Sequence, residues 1–287
     1  MPATSLVLGD QTLDITDRAL VMGILNRTPD SFYDRGATFA LDELVRRAEN
    51  LVADGADILD VGGVKAGPGP EVGEDEELDR VIPTLSALHA RFDVPLSVDT
   101  WRAAVAHEGY AVGAVMGNDI SGFADPDYLP AAAAAGATVV ATHIRLGPRI
   151  PDPEPAYRDV VGEVRSFLAD RASQARAAGL GPERIVLDAG LDLGKTAAQS
   201  LTLLRAQDRL ASLGYPVLLS ASNKTFLGKV LGLEIGERGE ASLAASALGV
   251  SLGCRIVRVH DVAGNRRVCD ALAAVVATRR SAHAVTR

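Results

Sequence analysis

The chain has 287 residues, which allows one α/β barrel or two smaller domains, and its 47% apolar but only 4% aromatic content suits layered helices on a parallel sheet better than an aromatic-rich sandwich. A net charge of −8 provides no basic footprint, so nucleic acid and anionic membrane surfaces are not expected partners. No basic leader with an apolar core opens the chain and no apolar run reaches membrane-spanning length, so a soluble, cytoplasmic protein is expected.

Residues 1–18, with Asp10, Asp14 and Asp17, read as a hairpin or lid. The first apolar run, ALVMGILN at 19–26, ends on Asn26. An amphipathic stretch at 41–55 ends at Gly55, a residue type that commonly terminates helices. The run at 56–63 ends on Gly62 and Gly63, and a second helical stretch covers 74–92. Further runs follow at 94–100 with Asp99, at 111–119 with Asn118 and Asp119, and at 137–144 with His143 and then Arg145. After a long helical stretch at 157–179, the last runs are 184–190 with Asp188, 215–222 with Ser222 and then Lys224, and 255–261 with Arg258 and His260. Residues 281–287 read as a loose tail.

Nearly all of these runs are continuously apolar, the pattern of strands covered on both faces in a parallel sheet. With helical stretches between them, they predict a single (β/α)8 TIM barrel over residues 1–287. A doubly wound sheet would call for a GxGxxG turn after the first strand, and GILNRTPDSF has none. Cys254 and Cys269 have no paired spacing and read as small hydrophobes in a reducing compartment.

Barrel active sites lie where the strands end. An Asp after a strand often caps the next helix, and Asp119 and Asp261 are read that way. Polar groups at nearly every strand end, however, imply a common concave mouth. Asp99, Asn118, Asp188 and Lys224 offer acceptors and donors for a flat, amide-rich heterocycle. Asn26, Arg258 and His260, at the seam of the last and first strands, suit a phosphate oxyanion. Together they suggest transfer of a heteroaryl-methyl group from a diphosphate.

In this order the motifs MGILNRTPDSFYDRG, DILDVGG, LSVDT, GNDISG, LDAGLDLGKT, SASNKTFLG and IVRVHDV resemble the dihydropteroate synthase family, from about Leu20 to Val262. The resemblance implies a pterin-binding TIM barrel and the joining of 6-hydroxymethyl-dihydropterin diphosphate to 4-aminobenzoate. It also implies Mg²⁺ as cofactor and a homodimer. Asp99, Asn118, Asp188 and Lys224 match the pterin pocket, and Asn26, Arg258 and His260 the diphosphate site, with Asn26 also at the metal. No residue is assigned a catalytic role.

The second loop departs from the family pattern Gly-Gly-Glu-Ser-Thr-Arg-Pro-Gly: after Gly62 and Gly63 it reads Val64, Lys65, Ala66, Gly67, Pro68, Gly69. Further departures are Arg27, Tyr33 and Arg35 in the first loop, Asp192 and Leu193 in place of Gly and Phe, and Asn223 in place of Arg. Lys65, Arg27 and Arg35 are read as solvated loop charges rather than substitutes for the missing arginine, and GLDLGKT at 190–196 as a family motif rather than a nucleotide loop. The expected protein resembles the divergent second synthase paralogue of actinobacteria, with an intact pterin site and an inactive or greatly impaired synthase reaction. An active synthase with a remodelled lid and a non-catalytic pterin or phosphate-ligand binder are the alternatives. A methyltetrahydrofolate-using methyltransferase would share the pterin residues without requiring Arg258 and His260.

Overall fold

The computed structural model describes residues 3–27, 37–67 and 69–284. Tyr33, Arg35 and Pro68 lie outside them. A hairpin of β1 (Ser5–Leu8) and β2 (Gln11–Asp14) precedes eight parallel strands that close on themselves. These are β3 (Leu20–Asn26), β4 (Ile58–Gly62), β5 (Leu96–Asp99), β6 (Ala114–Asp119), β7 (Thr138–Thr142), β8 (Ile185–Asp188), β9 (Val217–Leu219) and β10 (Ile256–Val259). Each pairs with the next in the chain, and β10 returns to β3. The protein is therefore a (β/α)8 barrel.

The hairpin closes the end of the barrel away from the strand termini. Leu6, Leu8 and Ile15 pack on Leu20, Met22, Ile58, Met116, Val140, Val186, Leu218 and Ile256, near the strand beginnings, so this segment is a plug at the bottom of the barrel and not a lid over its mouth. Side chains pointing outward form the remaining core with the helices. Val139, Leu187 and Val217 meet Leu168, Leu203 and Phe226 on one side, while Val21, Leu59 and Val98 meet Leu44, Leu85 and Leu88 on the other. Burial of each large aliphatic side chain contributes about 1.5–3 kcal/mol, so these layers dominate the stability of the fold.

The helices are α1 (Ala37–Ala53), α2 (Glu74–His89), α3 (Ala103–Ala111), α4 (Tyr128–Ala134), α5 (Val160–Ala177), α6 (Ala197–Arg205), α7 (Gln207–Ala211), α8 (Thr225–Leu231), α9 (Gly239–Ser251) and α10 (Val262–Ala284). Gly55 and Gly179 take φ of 95° and 98° just past α1 and α5, a turn that a side chain would strain. Asp159 starts α5 by accepting from the Val161 amide, and Thr196 and Gln199 form a reciprocal cap on α6. The expected tail begins inside α10, which runs through Ala284. Among the described residues no helix is long and apolar enough to cross a membrane.

Candidate active site

The strand ends converge as the sequence predicts, but their centre is a residue that the sequence reading passed over. Asp60 lies in the middle of β4, fully buried in an otherwise apolar strand. Its Oδ2 accepts from Arg258 Nε at 2.6 Å and from the Asn118 amide at 3.2 Å. Arg258 Nη2 reaches Asp99 Oδ2, also at 2.6 Å. Asp60 Oδ1 is buried and has no hydrogen-bond partner among the described residues. A lone Asp within an apolar strand was the available signal, since such a charge must be paired.

Arg258 consequently does not stand apart with Asn26 and His260. It bridges from β10 into the cluster formed by β4, β5 and β6. Burial opposes its charge, but Asp60 and Asp99 hold its pKa above the ordinary range. Burial pushes Asp99 up to about 7, with help from the Asp60, Glu77 and Asp119 charges, and Arg258 offsets only part of this. Two carboxylates thus share one guanidinium, and the second of them retains a proton easily.

Asp188 ends β8 with its carboxylate accepting from the Gly190 amide at 2.8 Å. Burial raises its pKa, and Lys224 charge works against that rise. Burial lowers the pKa of Lys224, while Asp188 opposes the change. Asp188 and Lys224, at the ends of β8 and β9, are therefore electrostatic neighbours in the same mouth as Arg258. His260 Nδ1 lies 3.0 Å from Ser222 Oγ, and burial followed by Arg258 charge lowers its pKa to about 4. Near pH 7 it is therefore a neutral hydrogen-bonding group. Asn26 is half-buried at the end of β3, in register with Gly62.

Next to Asp188 is a buried pair that the sequence did not reveal. Lys195 Nζ lies 2.9 Å from His143 Nδ1 and within hydrogen-bond reach of the carbonyls of Gly190 at 2.8 Å, Leu193 at 2.9 Å and His143 at 3.1 Å, between which it shares its three donors. Burial lowers Lys195 to about 7, and burial plus the Lys195 charge lowers His143 to about 3. The ammonium fastens the β8–α6 turn to β7, which gives the GKT motif a structural role. Asp261 accepts from the Gly264 amide in the first turn of α10, the cap expected of it, whereas Asp119 accepts from the Ser121 and Phe123 amides and so closes a turn in the β6–α4 loop instead of capping a helix, because α4 does not begin until Tyr128.

Among the described residues, Asp192, Asn223, Arg27 and the second loop each take up a distinct local arrangement. Asp192 takes φ of 67° and accepts from the Phe226 amide at the start of α8, and Asn223 takes φ of 57°; Asn and Asp tolerate this left-handed region better than most residues. Arg27 turns away from the mouth and donates to Arg80 O at 2.8 Å on α2. The second loop is held through its main chain: Arg80 donates to Gly63 O at 2.8 Å and Arg102 to Val72 O at 2.7 Å. From the β7–α5 loop, the Arg149 amide donates to Ala66 O at 3.2 Å, and its guanidinium to Lys65 O at 3.1 Å and to Pro70 O.

Residues 22–260 match the family model described as pterin binding enzyme. The chain belongs to the dihydropteroate synthase family. It is 44% identical to inactive dihydropteroate synthase 2 of Mycobacterium leprae (strain TN), over 92% of each chain. It is 41% identical to dihydropteroate synthase of Synechocystis sp. (strain ATCC 27184 / PCC 6803 / Kazusa), again over 92% of each. The crystal structure of the Stenotrophomonas maltophilia dihydropteroate synthase with imidazole bound in its active site superposes with a TM-score of 0.87 at 40% identity, covering 96% of this chain and 99% of that one. The Xanthomonas albilineans dihydropteroate synthase in complex with 7,8-dihydropteroate gives 0.85 at 38% identity, covering 95% and 99%. This homologue of the dihydropteroate synthases thus shares their barrel over nearly the whole chain, and the departures at Arg27, residues 64–67, Asp192, Leu193 and Asn223 fall in loops that follow its strands.

Proposed function

We propose that this homologue binds a 2-amino-4-oxo-pterin at Asp99, Asn118, Asp188 and Lys224 but is inactive or greatly impaired as a dihydropteroate synthase. One observation carries the reading: residues 64–67 of the second loop bring no hydroxyl or guanidinium of their own to the mouth, and Arg27 donates to α2 instead. Lost hydrogen bonds to a charged group weaken an interaction by about 1.5–3 kcal/mol each. Losses felt mainly in the transition state lower rate more than pterin affinity. The 44% identical relative named as inactive supports the same conclusion.

The unpartnered Asp60 Oδ1, on a carboxylate that shares the Arg258 guanidinium with Asp99, favours a ligand edge rich in N–H donors. Mg²⁺ prefers oxygen ligands and usually retains water or substrate phosphates. One Asn26 amide oxygen does not make a metal site alone, and among the described residues no cluster of three acidic, His or Cys side chains is placed to hold a metal. Mg²⁺ therefore fits only as a companion of bound diphosphate, with Asn26 as the chain's contribution. A cytoplasmic homodimer completes the reading, in keeping with two buried, unpaired cysteines.

Complementation of a synthase-deficient strain, combined with calorimetry of pterin binding to the purified protein, tests both halves. Pterin binding without growth is the expected result. Growth at the rate given by an ordinary synthase would identify an active enzyme with a remodelled lid, and absence of pterin binding at millimolar concentration would refute the pocket assignment.

A further inference from the structure

The second loop lacks a cation of its own at residues 66 and 67, yet a guanidinium lies within the loop. It belongs to Arg149, on the segment between β7 and α5. In the barrel β5 and β6 separate β4 from β7, so the contact of Arg149 with residues 65–70 spans the ends of the strands that carry Asp99 and Asn118. At the edge of this strap is a cavity of about 300 Å³, lined by Ala66, Gly67, Arg149, Leu193 and Lys195 among others.

The cations around this cavity are in different states. Arg145 is neutralised by a two-pronged pair with Asp152, its Nη2 lying 2.6 Å from Oδ1. Lys195 spends its donors on His143, Gly190 and Leu193. Among the described residues the Arg149 guanidinium donates to two main-chain carbonyls, which orient it without cancelling its charge, and a guanidinium has further donors beyond those two. Gly67 leaves space beside it, since a Cβ there would meet nothing within 4 Å.

We propose that Arg149 is the oxyanion-binding residue of this mouth, taking a carboxylate or phosphate group next to the pterin pocket from a loop other than the one whose side chains were lost. This inference rests on the pterin reading for its setting. The planar fork suits either oxyanion, held in place by its own contacts to Lys65 O and Pro70 O. A partner of this kind binds near the pterin even where the groups needed for transfer are absent.

The test titrates 4-aminobenzoate, inorganic diphosphate and the uncharged 4-aminobenzamide into ligand-free and pterin-loaded protein. Arg149→Gln is expected to weaken one of the two anions by about 10- to 100-fold, the range of a charge-assisted bond, and to leave 4-aminobenzamide unaffected. The anion that responds distinguishes a carboxylate from a phosphate site. Because Arg149 also braces the loop, a second variant, Arg149→Gln with Gly67→Arg, returns the charge from the other loop and is expected to recover most of the loss. The proposal is overturned if the parent binds neither anion at millimolar concentration, if Arg149→Gln binds both as the parent does, or if the amide weakens as much as the anions. Pterin titrations of the same proteins report separately on the pterin pocket, so its failure would be recognised independently.

Discussion

Arg258 on β10 and Asp99 at the end of β5 meet across the mouth of the barrel, Nη2 to Oδ2 at 2.6 Å, although β3 and β4 lie between their strands. The same guanidinium holds Asp60, so one cation ties the last strand to two others at the site. Replacement by Arg258→Met would leave Asp60 and Asp99 without their counter-charge. Removing one partner of a buried pair costs about 3–5 kcal/mol, and the lower end is expected here because the Arg258 side chain retains 15% exposure. Urea denaturation measures the loss. It should shrink as pH falls from about 8 to 5, since Asp99 then takes up a proton near 7. A loss independent of pH would mean that packing of the arginine stem, and not its charge, is what matters.

Pterin binding should depend on pH through Asp99. Below about 7 this carboxyl carries a proton in the ligand-free protein, and a ring N–H needs the carboxylate as its acceptor. Affinity should rise with pH, by at most about tenfold per unit below 7, and level off above. Asp99→Asn should remove most of this slope along with part of the affinity. Calorimetry across the range provides the check, and a parent protein with no slope would show that the ring does not engage Asp99.

His143 and His260 should stay neutral from about pH 8 down to pH 5, because burial above all lowers them to about 3 and about 4. Both bind protons when unfolded but not when native, so they withdraw stability as pH drops below the ordinary histidine range of about 6.5. Asp99 and Asp119, raised to about 7 and about 6, act in the opposite sense: below these values the native state binds more protons than the unfolded chain. Lys195→Met should raise His143 by removing the nearby ammonium. Imidazole NMR titration of the parent and this variant reads these effects, and a parent His143 titrating near 6.5 would contradict the buried pair.

The barrel was legible because its strands are buried on both faces, so each reads as a continuous apolar run with a polar end. Val217–Leu219 is shorter than the run at 215–222 that signals it, since pairing to β8 covers only Val217 and Leu218 and pairing to β10 only Leu218 and Leu219. Asp99, Asn118, Asp188 and Lys224 were legible as strand-end residues. Asp60 was not, because it interrupts an apolar strand instead of ending it, and Arg149 was not, because arginine in a long polar loop carries no periodic signal. The state of Arg258 required the fold as well: the sequence separates it from Asp60 by 198 residues, and only barrel closure makes them neighbours.

The second loop decides whether the synthase reaction is recoverable. Changing Val64-Lys65-Ala66-Gly67 to Glu-Ser-Thr-Arg restores a carboxylate, two hydroxyls and a guanidinium, and the backbone has room at the last position because a Cβ on Gly67 meets nothing within 4 Å. The contacts of Arg80 and Arg149 to this loop use the carbonyls of Gly63, Lys65 and Pro70, so the side-chain changes leave them in place. Dihydropteroate formation is expected to become measurable, with the gain in kcat/KM and pterin affinity nearly unchanged, since the restored groups act on charged partners and not on the ring. Adding Leu193→Phe should raise it further by returning an aromatic wall beside the cavity, and the two changes are not expected to be additive because they form one site. A parent that already turns over at about 1 s⁻¹ or faster would show the remodelled mouth to be functional. If neither variant gains activity, loss of the second loop is not the controlling defect, since Arg27, Tyr33 and Asn223 remain as they are.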